Sequence, residues 1–398
     1  MENEALQFES DIILHEDVLE NENNSVKNKE LDDVSDEELE RKHFQRIVNA
    51  FRSYKLHSLK RLYSTTKYIS SLPENQRALL KSYSSHLEKV RVGIEHNFQI
   101  IRLIIQDVDH LFKNTDHGVD VKVVKDASPF DMDKVQSIFK QLYREWSHEG
   151  KEERDASFKP ILDEIVGRFP PEKSSEVHIL VPGAGLGRLP YEIARRGYTC
   201  QGNEFSLFML FTSNFILNKC QGADLFRIYP WVHQYCNNLK SLHQVQMARF
   251  PDVDPSKLPQ GLEFSMAAGN YLEIYNVNDS WDCIVSCFFL DTANNILDYI
   301  EKTWNILKPG GFWINLGPLL YHHADLPNEK SIEPSYEEIR EIILKYGFNM
   351  LKEEVNIPTP YSQNPHSMMS YEYRSVYFVC QKPYLENSIV QKSFEKNH

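Results

Sequence analysis

The six cysteines of this 398-residue chain (Cys200, Cys220, Cys236, Cys283, Cys287 and Cys380) include no CxxC pair. That absence excludes a zinc ribbon and a small disulfide-framed fold, and it points to free thiols in a reducing compartment. No metal site is expected: His322 and His323 are adjacent, and His233 and His243 lie in a stretch with no readable pattern. No uncharged apolar run approaches the ~20 residues that span a bilayer, so no membrane segment is expected. The acidic N-terminus lacks the apolar core of a signal peptide. A cytoplasmic location is expected, with the nucleus as a second compartment. A basic surface is missing too. The net charge is −13, and residues 1–40 alone hold 15 acids against 2 bases, leaving the rest balanced. Nucleic-acid binding needs clustered Lys and Arg to displace counterions, so no nucleic-acid partner is expected.

What is present suffices for a large core, with 41% hydrophobic and 12% aromatic residues. Residues 1–38 are rich in Glu, Asp and Asn and cannot offset their ordering entropy by burial; they read as a disordered acidic tail. Residues 39–168 read as a helical region. Phe44, Ile47, Val48 and Phe51 follow the i, i+3, i+4, i+7 rule, and Leu87, Val90, Ile94, Ile101, Ile104, Ile105 and Val108 lay down a second stripe. Ser71 and Glu74 around Pro73 predict a helix start. Residues 114–130 read as a linker inside this region. After Phe169-Pro170-Pro171 the pattern becomes alternating strands and helices as far as 384, with a C-terminal tail over 385–398. Strands are predicted at 177–181, 199–203, 264–267, 281–290 and 312–316, and a terminal hairpin at 348–355 and 375–381. Residues 221–262 read as an insertion that helps cover a site.

A strand leading into Gly183-Ala184-Gly185-Leu186-Gly187-Arg188 and then a helix carries the main chemical signal. Glycines let a backbone take left-handed angles and approach a ligand closely. Dinucleotide enzymes use GxGxxG, which Arg188 breaks; GxGxG is the form of methyltransferases that use S-adenosylmethionine. Glu204 ends the second strand, where a carboxylate can accept both ribose hydroxyls. Asn270 ends the third strand and can accept from the adenine amino group. The expected fold class is therefore α/β: a Rossmann-like class I methyltransferase domain with a seven-stranded, mostly parallel sheet, behind a helical N-terminal region.

Longer segments narrow this further. Val181-Pro182-Gly183-Ala184-Gly185-Leu186-Gly187-Arg188-Leu189, Cys200-Gln201-Gly202-Asn203-Glu204, Phe288-Phe289-Leu290-Asp291-Thr292-Ala293 and Asn315-Leu316-Gly317-Pro318-Leu319-Leu320-Tyr321-His322 resemble the carnosine N-methyltransferase family. Tyr229-Pro230-Trp231, Pro251-Asp252-Val253-Asp254-Pro255 and Ser367-Met368-Met369 resemble it too, and the likeness covers about 40–382. The resemblance implies methyl transfer from S-adenosylmethionine to the imidazole of carnosine (β-alanyl-histidine), giving anserine. Carried over by position, cofactor contacts fall on Gln141, Arg144, Gly183, Gly185, Glu204, Asn270 and Cys287. Substrate contacts fall on Asp291, His322, Tyr361 and Tyr373, with Asp291, His322 and Tyr373 in the catalytic set. Family members tend to carry Asp where this chain has Asn270.

Asp291 follows an apolar strand at the sheet's carboxyl edge, where it could hold the ring's N–H and take its proton. A helix N-cap is the other role its position allows. His322 could be a hydrogen-bonded structural histidine, and Tyr361 and Tyr373 could be packing residues. Two wider alternatives stay open: methylation of histidine in other peptides or proteins, and a non-catalytic cofactor-binding scaffold. The partner expected is a small His-containing dipeptide, and a homodimer is left open.

Overall fold

The structure is a computed structural model that describes residues 36–384 apart from 107, 109–126, 260, 325, 327 and 328. Nearly all of the acidic tail, most of the linker and the C-terminal tail lie outside the described residues.

The described residues begin with α1 (Asp36–Ser71), α2 (Glu74–Leu79) and α3 (Lys81–Ile104). The predicted stripes are their buried faces, with Phe51, Val90, Ile94 and Ile101 fully enclosed. The Ser71–Glu74 cap does not form. Ser71 remains the last residue of α1, and its hydroxyl donates back to the Tyr68 carbonyl, so Pro73 occupies the N-cap of α2. Helix α4 (Pro129–Trp146) starts where Ser128 accepts from the Asp131 N–H at 3.0 Å, with Pro129 preset for the first turn. Its Met132, Val135, Phe139, Leu142 and Trp146 join the N-terminal core. Ser147 ends α4, and α5 (Lys151–Arg168) follows.

The sheet then builds as β1 (His178–Pro182), α6 (Arg188–Arg195), β2 (Thr199–Glu204) and α7 (Leu207–Asn214). Residues 221–262 hold a small antiparallel pair, β3 (Phe226–Ile228) and β4 (Ala248–Phe250). The main sheet continues with β5 (Phe264–Ala268), β6 (Trp281–Cys287), α8 (Ile296–Ile306), β7 (Leu307–Gly317), α9 (Tyr336–Tyr346), β8 (Asn349–Pro360) and β9 (Glu372–Gln381). Its seven strands lie in the order β5-β2-β1-β6-β7-β9-β8. The first five pair in parallel, and β9 runs antiparallel between β7 and β8. The order reverses between β1 and β6, the switch point at which open α/β sheets bind ligands.

One sheet face packs on α5 and α6 through Ile161, Ile165, Leu189 and Ile193; the other packs on α8 and α9 through Ile296, Ile300, Ile339 and Ile343. The N-terminal helices, α7 and the β3–β4 insertion share a third core. The fourth parallel strand is shorter than predicted. It stops at Cys287; Phe288 turns to φ +53°, and its backbone lies so close to Gly317 that a Cβ there would stand 3.0 Å from the Phe288 nitrogen. Residues 308–311 form an irregularity inside β7, where its register with β6 shifts.

Candidate active site

The loop over 183–187 is left-handed at all three glycines, with φ of +65°, +55° and +82°. All three are tied to neighbours by space as well as angle, Gly187 to Leu217. A Cβ on Gly183 would lie 2.5 Å from the Phe289 ring, and one on Gly185 would lie 2.9 Å from Glu145 Oε1. Glu204, at the end of β2, reaches this loop directly. The Gly185 N–H donates to its Oε2 at 2.8 Å, and the N–H groups of Phe205 and Ser206 donate to Oε1 at 2.9 and 2.8 Å. Burial raises this carboxyl above the usual range, opposed by those three donors. Three donors leave acceptor capacity on the carboxylate for a sugar hydroxyl.

Helix α4, whose Glu145 meets this loop, also carries Gln141 and Arg144. Arg144 is buried; its guanidinium lies 4.6 Å from the Tyr361 ring centroid and 5.5 Å from that of Phe288. Its Nε stands 3.2 Å from Glu153, yet Nε and Nη2 find no hydrogen-bond partner. A buried guanidinium with unfilled donors fits the carboxylate of an amino-acid ligand, and the donor set suits S-adenosylmethionine. Gln141 donates to the Tyr361 hydroxyl at 3.1 Å. Cys287 closes β6 beside them, its thiol pushed up to about 12 by burial, with the charges of Arg144 and Glu145 both reaching it. Asn270 sits at the same sheet edge, but its side chain is engaged. Its Oδ1 caps the one-turn helix Tyr271–Ile274 by accepting from the Leu272 N–H at 3.0 Å.

Asp291 lies one turn past β6, 3% exposed, in the short 3-10 segment Leu290–Thr292. It is not a helix cap. Asn295 caps α8 by accepting from the Leu297 N–H, four residues later than an Asp291 cap would require. The Asp291 carboxylate instead accepts from the Leu320 N–H at 2.8 Å, tying the end of β6 to the segment after β7. Burial lifts it to about 7, although the Leu320 contact pulls the other way. His322 donates its backbone N–H to the Asp291 carbonyl at 3.0 Å, and burial, with Lys134 and His323, holds its imidazole down at about 4. Tyr361 and Tyr373 stand over the loop end of the hairpin, with Phe288 4.8 and 6.0 Å from their ring centroids.

Glu204, Arg144, Gln141, Cys287, Tyr361 and Tyr373 thus form one connected group, and Asp291 with His322 adjoins it through the three residues after Cys287. Sequence reasoning missed four neighbours. Glu145 packs on the glycine loop, Glu153 accepts from the Ser362 N–H, and Phe288 joins the two tyrosines. Tyr299, stacked on Phe289 at 4.6 Å, has a hydroxyl whose acidity is suppressed first by burial and also by both Glu204 and Asp291. Phe288 was visible inside a quoted motif; the others carried no local signal. Among the described residues no cluster of three or more metal-ligating side chains occurs, and no helix is long and apolar enough to cross a membrane.

A reversed hairpin closing a parallel sheet at its fifth strand, with a glycine loop facing an acid at the end of β2, defines a class I methyltransferase. The carnosine N-methyltransferase family model matches residues 121–384. A carnosine N-methyltransferase from Rattus norvegicus is 51% identical over 351 residues, covering 87% of this chain and 88% of that one. The Drosophila melanogaster protein carnosine N-methyltransferase unmet is 43% identical, covering 88% and 82%, and one from Schizosaccharomyces pombe is 36% identical, covering 86% and 96%. The chain belongs to the carnosine N-methyltransferase family. The scaffold alternative falls with that membership.

Proposed function

We propose that this enzyme transfers the methyl group of S-adenosylmethionine to the imidazole of carnosine, giving anserine, with Asp291 holding and deprotonating the ring. The observation that carries the reading is a buried carboxylate at the sheet's carboxyl edge, adjoining the glycine loop and free of any capping duty. The cofactor supplies an electrophilic methyl on a sulfonium. The chain's own residues must therefore orient a nucleophile and exclude water.

Imidazole has a free pKa of about 6.5 and presents one N–H and one lone pair when neutral. To expose the lone pair of the nitrogen nearer the side-chain stem, the proton must sit on the other nitrogen. A carboxylate accepting that N–H selects this tautomer, as an aspartate does for a catalytic histidine. Methylation turns the ring cationic, and Asp291 is placed to stabilise that charge and to accept the N–H proton. A carboxyl lifted to about 7 is a base matched to such a proton. His322, kept neutral, adds no competing positive charge beside the forming imidazolium. Tyr361 and Tyr373 with Phe288 form an aromatic wall against the dipeptide, and Gln141 anchors Tyr361.

The test is product analysis. Carnosine with isotope-labelled cofactor should give a monomethylated dipeptide, with NMR placing the methyl on the stem-side nitrogen. Free histidine and longer His-containing peptides serve as competing acceptors. Faster turnover of an internal-histidine peptide than of carnosine would overturn the substrate assignment.

A further inference from the structure

Two carboxylates touch the glycine loop: Glu204 from β2, and Glu145 from the last turn of α4. Glu145 is 4% exposed, and its surroundings satisfy it poorly. Oε1 faces the Leu186 N–H and Oε2 the Arg188 N–H, both at 3.4 Å, against 2.8 to 2.9 Å for the contacts of Glu204. Charge-assisted hydrogen bonds normally close to about 2.7–2.9 Å. The nearest cation, Arg144 Nη1, is 3.9 Å from Oε1. A buried carboxylate held this loosely has given up water without a full set of partners. Its neighbour in sequence, Arg144, is also buried; its Nε stands 3.2 Å from Glu153, but Nε and Nη2 make no hydrogen bond. The strand that leads into the loop ends in Val181-Pro182 and offers no charge of its own.

An amino-acid zwitterion carries an ammonium and a carboxylate on one carbon. Adjacent, underpaired groups of opposite charge beside the loop match it. We propose that Glu145 receives the α-ammonium of S-adenosylmethionine while Arg144 takes its carboxylate, an inference that rests on the cofactor reading above. The Gly185 position then has a second reason to lack a side chain, since a Cβ there would press on the carboxylate that meets the ligand. Burial, with Glu204 adding to it, lifts the Glu145 carboxyl to about 7, against the pull of Arg144 and of the Leu186 and Arg188 N–H groups.

A purely structural role is the competing account: Gly187 has no side chain to cap α6, and Glu145 faces the N–H of its first residue. Calorimetry on the full-length protein separates the two with S-adenosylhomocysteine and 5′-methylthioadenosine, which keeps base, sugar and sulfur but lacks the amino-acid end. Glu145→Gln should weaken S-adenosylhomocysteine about 10- to 100-fold and leave 5′-methylthioadenosine within twofold. Equal losses on both ligands, or none on either, would overturn the proposal. A measurement independent of how the variant folds uses the wild-type protein. The deamino analogue of S-adenosylhomocysteine should bind about 10- to 100-fold more weakly than the parent compound, and equal affinities would also overturn it. If the wild-type protein failed to bind S-adenosylhomocysteine, the cofactor reading itself would fail, and this assignment with it.

Discussion

The floor and the roof of the site are built on different plans. The floor is the carboxyl edge of the parallel strands: the glycine loop after β1, Glu204 after β2, Asp291 after β6. Its key contact, Gly185 to Glu204, joins residues 19 apart. The roof comes from α4, the start of α5, the β3–β4 insertion and the β8–β9 loop, and its contacts reach far along the chain. Gln141 meets Tyr361 over 220 positions, Glu153 meets Ser362 over 209, and Arg154 meets Asp252 over 98. The floor is a property of the sheet topology; the roof is what this chain adds to close that topology over one acceptor.

The largest effect is expected on the floor. Asp291→Ala should lower turnover with carnosine about 10²- to 10⁴-fold, the range for a lost general base, while S-adenosylhomocysteine affinity stays within a few-fold. Loss of cofactor binding in step with turnover would mean that Asp291 supports the loop and not the acceptor. A pH series sharpens the same point. With the carboxyl lifted to about 7, kcat/KM should fall as pH drops through that value. The sign for stability is the reverse. A folded carboxyl lifted above its unfolded value of about 3.9 favours the fold while protonated, and that contribution is lost as pH rises through 7. Asp291→Asn should therefore gain thermal stability over wild type at pH 8, with the gap narrowing towards pH 5. A constant gap across that range would refute the shift.

Next in size comes the node that joins roof to floor. Asp252, in the insertion, pairs with Arg154 and Arg188 at 2.5 Å each, all three nearly buried. Arg188 follows the glycine loop and also donates to the Glu145 carbonyl, while Arg154 donates to the carbonyls of Arg144 and Ser147. Asp252→Ala takes the buried carboxylate from Arg154 and leaves Arg188 with Glu192 alone, and should cost about 3–5 kcal/mol, read by denaturant melting. If the two regions act as one, S-adenosylhomocysteine affinity falls too; a destabilised variant with unchanged affinity would show them to be independent.

Glu204→Gln keeps the shape but removes the charge, and should weaken cofactor binding by about 2 kcal/mol, the scale of hydrogen bonds to a charged group. Calorimetry reads this directly, and an unchanged affinity would remove Glu204 from the sugar site.

The same contrast explains what the sequence could reveal. Strand periods, the GxGxG spacing and the acid 21 residues beyond Gly183 are local patterns, and sheet order follows once alternation is read. Asp291 was legible as a carboxylate at a strand edge, yet only coordinates could release it from capping, because Asn295 four residues on is an equally good cap. Glu145 and Glu153 were not legible. Both sit on helices whose apolar stripes mark the core but say nothing of what the other face meets. The left-handed turn at Phe288 lies against Gly317, a neighbour 29 residues away that no local pattern announces.

The smallest effect tests the roof at a single atom. Tyr361 offers both a ring and a hydroxyl, and the two make different contacts. Its ring lies under the Arg144 guanidinium at 4.6 Å and beside Phe288 at 4.8 Å, whereas its oxygen accepts from Gln141 at 3.1 Å. Tyr361→Phe keeps the ring contacts and loses one neutral hydrogen bond, worth about 1 kcal/mol. A rise of about fivefold in KM for carnosine is expected, with kcat and S-adenosylhomocysteine affinity little changed. Tyr361→Ala removes the face that Arg144 rests on as well, so its loss should exceed that of the phenylalanine variant and extend to the cofactor. A drop in kcat of a hundredfold or more for Tyr361→Phe would break the pattern. The hydroxyl would then touch the reacting imidazole, and the roof would share in the chemistry assigned here to the floor.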